Sequence, residues 1–115
     1  MSPTPPPTAL TPEFSVSPQI TVEDVAELQA QGFRAILCNR PDDEDPGQTP
    51  AAAIGAEAAR LGLAFAHVPV VSGGILPEDV AAFRETLAGL PGPVLAYCRS
   101  GTRCRNLHGL ATGRV

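Results

Sequence analysis

Lysine and tryptophan are missing from this chain, methionine occurs once and cysteine three times. Aromatic residues make up only 4% of the 115 positions, too few for the stacking platforms that grip single-stranded nucleic acid. The core must therefore be built from Ala, Val and Leu. No apolar run approaches the roughly 18 residues that a membrane span needs. Residues 1–13 hold neither Lys nor Arg nor an apolar stretch, unlike a secretory leader. What is present fits one domain: 43% hydrophobic residues suffice for a folded core. The expectation is a soluble, cytoplasmic, single-domain protein.

Cys38, Cys98 and Cys104 are an odd number with no Cys-x-x-Cys pair, which argues against a disulfide framework. His67 and His108 sit at no zinc-ligand spacing from them. Neither a metal nor a cofactor is expected, and each thiol is to be judged by its surroundings.

The net charge of −4 hides an asymmetry. Four arginines face all twelve acids before residue 99; four more, Arg99, Arg103, Arg105 and Arg114, follow with no acid among them. An acidic chain argues against a nucleic-acid footprint. A small cationic end suits a compact anion, and equally suits a solvated last helix.

Along the chain, residues 1–13 read as a disordered Pro-rich tail, with Pro3, Pro5, Pro6, Pro7 and Pro12 barring helix or central strand. From residue 14 to 115, short apolar runs alternate with helical patterns, the mark of an α/β domain. Phe14-Ser-Val reads as a strand, and Thr21 with Asp24 as a capping box opening a helix to Ala30. Ala35–Cys38 reads as a buried strand, and Pro50 starts a helix ended by Gly62. Residues 63–71 form a strand that Pro69 marks as an edge. Pro77 opens a helix with Val80, Phe83, Leu87 and Leu90 at helical spacing. Val94–Tyr97 is the last strand, and a helix follows from Thr102 to Leu110. Short connections imply a three-layer fold, a small, mostly parallel sheet flanked by helices. Loops 39–49, 71–76 and 98–103 should then meet beyond the carboxyl ends of the strands, where such sheets bind ligands.

Tyr97-Cys98-Arg99-Ser100-Gly101-Thr102-Arg103 is the sharpest signal. Cys98 lies between a buried strand and a helix start, so backbone N–H groups of the loop can converge on one centre. Gly101 supplies the backbone freedom. The helix N-terminus and Arg103 add positive potential. Each effect favours thiolate over thiol, making Cys98 a candidate nucleophile. The anion-binding candidates are Arg99, Ser100, Gly101, Thr102 and Arg103, with Arg40 as a further contact. Cys38, ending an apolar strand, reads as a core residue. Cys104, in the first turn of the last helix, reads as core or a resolving thiol. His67 reads as structural.

Phe14, Ser17-Pro-Gln19, Glu23-Asp24, Gly32-Phe33, Asn39-Arg-Pro-Asp42, Gly62, His67-Val-Pro-Val70 and Gly92 to Arg103 together resemble the phosphatase-like domains of bacterial beta-lactamase hydrolase-like proteins. The resemblance spans residues 13–112. It implies a protein tyrosine phosphatase-like fold, Cys98 as nucleophile and Arg103 as oxyanion ligand. Three features depart from a standard tyrosine phosphatase. Tyr97 stands where that superfamily has His. Its Arg lies six residues after the Cys, where this chain has Cys104, and Arg103 is only five away. The shorter loop is similar to the Cys-Arg-Ser-Gly loops of rhodanese sulfurtransferases. The loop Val71–Leu76 also lacks the general-acid Asp. Asp42, first acid in the Asn-Arg-Pro-Asp string, is the substitute candidate.

Three functions stay open. The first is a cysteine-dependent phosphatase-like hydrolase working through a phosphocysteine. The second is a rhodanese-like sulfurtransferase working through a Cys98 persulfide, and the third a non-catalytic anion- or partner-binding module. In each the ligand is a small anion, a phosphate ester or a thiosulfate-like species.

Overall fold

The computed structural model describes residues 6–113. Its elements run β1 (Thr8–Thr11), β2 (Phe14–Ser17), α1 (Asp24–Ala30), β3 (Ala35–Cys38), α2 (Ala51–Arg60), β4 (Ala64–His67), α3 (Pro77–Ala88), β5 (Val94–Tyr97) and α4 (Thr102–Thr112). The sheet order is β1-β2-β5-β3-β4. Every pair is parallel except β1–β2.

Alternation along the strands sorts side chains onto two faces. Ala35, Leu37, Val94, Ala96 and Cys98 join Phe83, Cys104 and Leu107, the face of α3 and α4. Ile36, Cys38, Leu95 and Tyr97 join Val25, Leu28, Ile54 and Ala58, the face of α1 and α2. The result is the expected three-layer α/β fold. Small core residues allow it: Gly55 passes so close to Phe65 that an added Cβ would lie 2.8 Å from its ring.

Local signals placed the helices well. Thr21 N–H donates to Asp24 Oδ2 at 2.8 Å, and Asp24 N–H returns to Thr21 Oγ1 at 3.3 Å. Thr21 and Asp24 thus form the expected reciprocal pair, although the helix proper starts at Asp24. β4 is shorter than the expected 63–71, ending at His67 two residues before Pro69. Val68 and Val70 N–H groups still donate to Cys38 O and Asn39 O, at 2.9 and 3.1 Å, so the chain runs on beside the extension of β3. The last helix continues two residues past Leu110, to Thr112.

The tail is corrected. Thr8–Thr11 is a strand, paired antiparallel to β2 through Thr8↔Val16 and Ala9↔Ser15. Thr, Ala and Leu between Pro7 and Pro12 keep their backbone donors, so an edge strand fits between the prolines. Pro3 and Pro5 lie outside the described residues. The sheet therefore begins at Thr8, six residues before Phe14.

Candidate active site

Cys98 leaves the end of β5, and the next three residues turn the chain into α4. Gly101 makes the turn at φ +92°, and a Cβ there would meet the Ser17 carbonyl carbon at 3.4 Å. Both conditions favour glycine. Its N–H donates to Cys98 Sγ at 3.1 Å. The Cys98 thiol is pulled down to about 5. The largest cause is a hydrogen bond from the Cys104 side chain; burial opposes it, and N–H groups of Cys104, Gly101 and Ser100 add to it. Burial, with Cys98 alongside, holds Cys104 well above the ordinary thiol range, so it remains a donor. Thus Cys98 is a thiolate at neutral pH, and the Cys104 thiol is its main support. Cys104 was expected as core or resolving thiol; it is buried, and it also donates.

Arg103 is buried and fully oriented. Its Nη1 donates to Val70 O at 2.8 Å and Glu44 Oε2 at 2.9 Å, and its Nη2 to Glu44 Oε1 at 3.1 Å. Such a two-pronged pair fixes the guanidinium plane. The Nε is buried without a hydrogen-bond partner. Glu44 also accepts from Arg40 Nε at 2.9 Å. Burial would raise its carboxyl, but the hydrogen bonds from Arg103 and Arg40 hold it below the usual carboxylate range.

Arg40 does not reach the anion site. Its Nη1 donates to Gln19 Oε1 at 2.9 Å and its Nη2 to Asp45 Oδ2 at 2.6 Å, leaving it enclosed behind Arg103. Asp45 in turn pairs with Arg99 Nε at 3.2 Å. Charges thus alternate in a chain, Arg103, Glu44, Arg40, Asp45, Arg99.

Asp42 has another task. Its Oδ1 accepts the Ala51 N–H at 2.8 Å, occupying a free donor at the start of α2. It does not line the site, and loop 39–49 as a whole contributes no cavity wall. That loop meets loop 98–103 from behind, through Glu44 and Asp45. His67 Nε2 donates to Arg40 O at 2.8 Å, a structural contact as expected.

A cavity of about 640 Å³ opens above loop 98–103. Loop 71–76 supplies Ser72, Gly73 and Ile75, while Arg99, Ser100, Thr102, Arg103 and Asn106 form the other wall. No carboxylate lines it. Cys98, 1% exposed, does not line it, but the next two residues of its loop, Arg99 and Ser100, do. The cavity can accept an oxyanion, present it with N–H and arginine donors, and hold it beside the loop that carries the thiolate.

Among the described residues, no group of three or more His, Cys, Asp or Glu could hold a metal ion, and no helix is long and apolar enough to cross a membrane.

Residues 8–114 match the family described as the phosphatase-like domain of beta-lactamase hydrolase-like proteins. The chain belongs to this family. It is 37% identical over 98 residues to the beta-lactamase hydrolase-like protein of Xylella fastidiosa, covering 85% of this chain and 23% of that one. The chain therefore spans about a quarter of the length of such relatives. The crystal structure of a candidate phosphatase from Neisseria meningitidis superposes with a TM-score of 0.83 at 38% identity, covering 90% of this chain and 74% of the other. TpbA of P. aeruginosa, solved in complex with phosphotyrosine, shares the fold at a TM-score of 0.69 and 16% identity, covering 95% and 65%. The protein tyrosine phosphatase-like fold and a phosphatase-like character of the domain follow.

Glu44 is the residue that sequence reasoning passed over. Its only signal was its place four residues after Arg40 in an acidic run; its pairing with Arg103 joins positions 59 apart.

Proposed function

We propose that this domain is a cysteine-dependent phosphatase-like hydrolase acting on phosphate monoesters through a phosphocysteine. One observation carries the reading: a thiolate drawn down to about 5 sits in the loop that lines a cationic cavity in a phosphatase-like fold. Cys98 Sγ attacks phosphorus, the P–O bond breaks, and the ester oxygen leaves with its electron pair. Loop N–H groups and Arg103 Nε stabilise the phosphoryl oxygens. Water then attacks phosphorus, releasing phosphate and restoring the thiolate. Because no carboxylate lines the cavity, a leaving group stable as an anion suits it best. Turnover of p-nitrophenyl phosphate, lost in Cys98→Ser, supports the reading. Absence of phosphate release from aryl phosphates overturns it.

The same missing acid favours a second reading, sulfur transfer. Cys98 would attack the outer sulfur of thiosulfate, forming a persulfide, while sulfite leaves with the bonding pair and needs no proton. Thiosulfate turnover to a cyanide acceptor, measured beside phosphate release, decides between the two. An oxyanion that binds without either turnover leaves the binding module.

A further inference from the structure

A second depression adjoins the anion cavity. It measures about 400 Å³ and is lined by Ile75, Leu76, Pro77, Val80, Arg84 and Leu110. Ile75 belongs to both walls, so the two spaces lie on either side of one side chain. Leu76 and Leu110 are 53% and 44% exposed, and with Val71 they are the large exposed hydrophobics among the described residues. Leu76 and Leu110 line the groove itself, and exposed apolar surface of this kind marks a binding region.

The helices explain how polar gives way to apolar. Thr102, Asn106 and Leu110 recur every four residues on one face of α4. The first two line the anion cavity and the third the groove. Pro77, Val80 and Arg84 lie along one face of α3. Arg84 Nε donates to Ala111 O at 3.1 Å, tying the helices together at the far end. From Thr102 to Leu110 the helix advances about 12 Å. No carboxylate lines cavity or groove.

We propose that the groove between α3 and α4 is a subsite for the apolar organic group of the oxyanion held in the cavity, so that the chain selects small amphiphilic oxyanions. The inference rests on the oxyanion site proposed above and is independent of which reaction follows. The phosphoryl head sits over the nucleophile loop, and the apolar group passes Ile75 and lies on Leu76, Val80 and Leu110. Monoesters of sugars, with hydroxyls along that path, would lose water without regaining hydrogen bonds.

Titration calorimetry with inorganic phosphate and with methyl-, butyl- and octylphosphonate tests this without any turnover. The Kd should fall about twofold per methylene, half of the full-burial value on a logarithmic scale, because the groove is open on one side. Octyltrimethylammonium, with the same tail and the opposite head charge, should not bind. In the Leu76→Ser/Leu110→Ser variant, both positions being exposed, the chain-length dependence should flatten. Phosphonates that bind with one Kd whatever their length overturn the subsite and leave the oxyanion site standing. So does a variant that keeps the full length dependence, or equal binding of the ammonium compound. Failure of phosphate and every phosphonate to bind overturns the oxyanion site and the subsite together.

Discussion

Cys98 and Cys38 close neighbouring parallel strands. Cys38 pairs in register with Tyr97, so Cys98 stands one residue further along and faces the opposite side of the sheet. Both are buried, at 1% and 2% exposure. Burial pushes the Cys38 thiol up, and its S–H donates to Arg40 O at 3.4 Å. Cys98 is pulled down to about 5. What differs is the neighbouring hydrogen-bonding group. Around Cys38 the Tyr97 side chain and the Arg40 backbone lower the thiol but burial outweighs them, whereas around Cys98 the Cys104 thiol and the backbone N–H groups at a helix start outweigh burial. Burial alone does not decide whether a cysteine is inert; whether the donors around it outweigh burial does.

The largest test of that contrast is loss of the sulfur. Cys98→Ser should cut activity by more than about a thousandfold, while Cys38→Ser should leave it within about threefold. Equal damage from the two, in steady-state assays of stable proteins, would break the comparison.

Next comes the network behind Arg103. Glu44→Ala leaves two buried guanidinium groups short of their shared partner. It should cost about 2 kcal/mol, or roughly 10 °C in melting temperature. Asp45→Ala, whose carboxylate is 41% exposed, should cost less than half as much. Because the Glu44 carboxyl is depressed, its contribution is present above the ordinary value of 4.5 and is lost as pH falls below it. Melting curves of wild type and Glu44→Ala should therefore converge in acid. Curves that stay parallel would mean that Glu44 does not hold Arg103 through charge.

The pH profile of alkylation sharpens the contrast further. Iodoacetamide should modify Cys98 with a midpoint near pH 5, and Cys38 and Cys104 only above the ordinary 9.0. Cys104→Ala should raise the Cys98 midpoint by about one unit, a tenfold loss of thiolate in the acid limb. Cys104→Ser should restore it. By linkage, the depressed Cys98 thiol stabilises the fold fully above pH 9 and loses that contribution as pH falls towards 5. An unmoved midpoint in Cys104→Ala would transfer the whole effect to the backbone N–H groups.

The smallest effect is expected at Asp42. Asp42→Ala should cost about 1 kcal/mol, as the loss of a helix-start acceptor. It should leave turnover of an alkyl phosphate unchanged. A hundredfold drop there would return Asp42 to the role of general acid.

By itself, the sequence determined what is encoded within a few residues. Pro50 and Pro77 start helices, Thr21 and Asp24 cap one, and the alternation in Ala35–Cys38 and Val94–Tyr97 makes central strands. Cys98-x-x-Gly101-x-Arg103 at a strand–helix junction marks the candidate anion site. All of these depend on local backbone geometry and on side-chain period. Only the tertiary structure decided the rest. Thr8–Thr11 became a strand because β2 offered it a free edge, and the prolines around it concealed that. Asp42 went to the Ala51 N–H because loop 39–49 folds back over the start of α2. Glu44 reached Arg103, and Arg40 was closed off behind it, because β3 and β5 lie side by side in the sheet. Pairings between residues nearly sixty positions apart carry no periodic trace in the chain, since the distance that fixes them is measured across the sheet and not along the sequence.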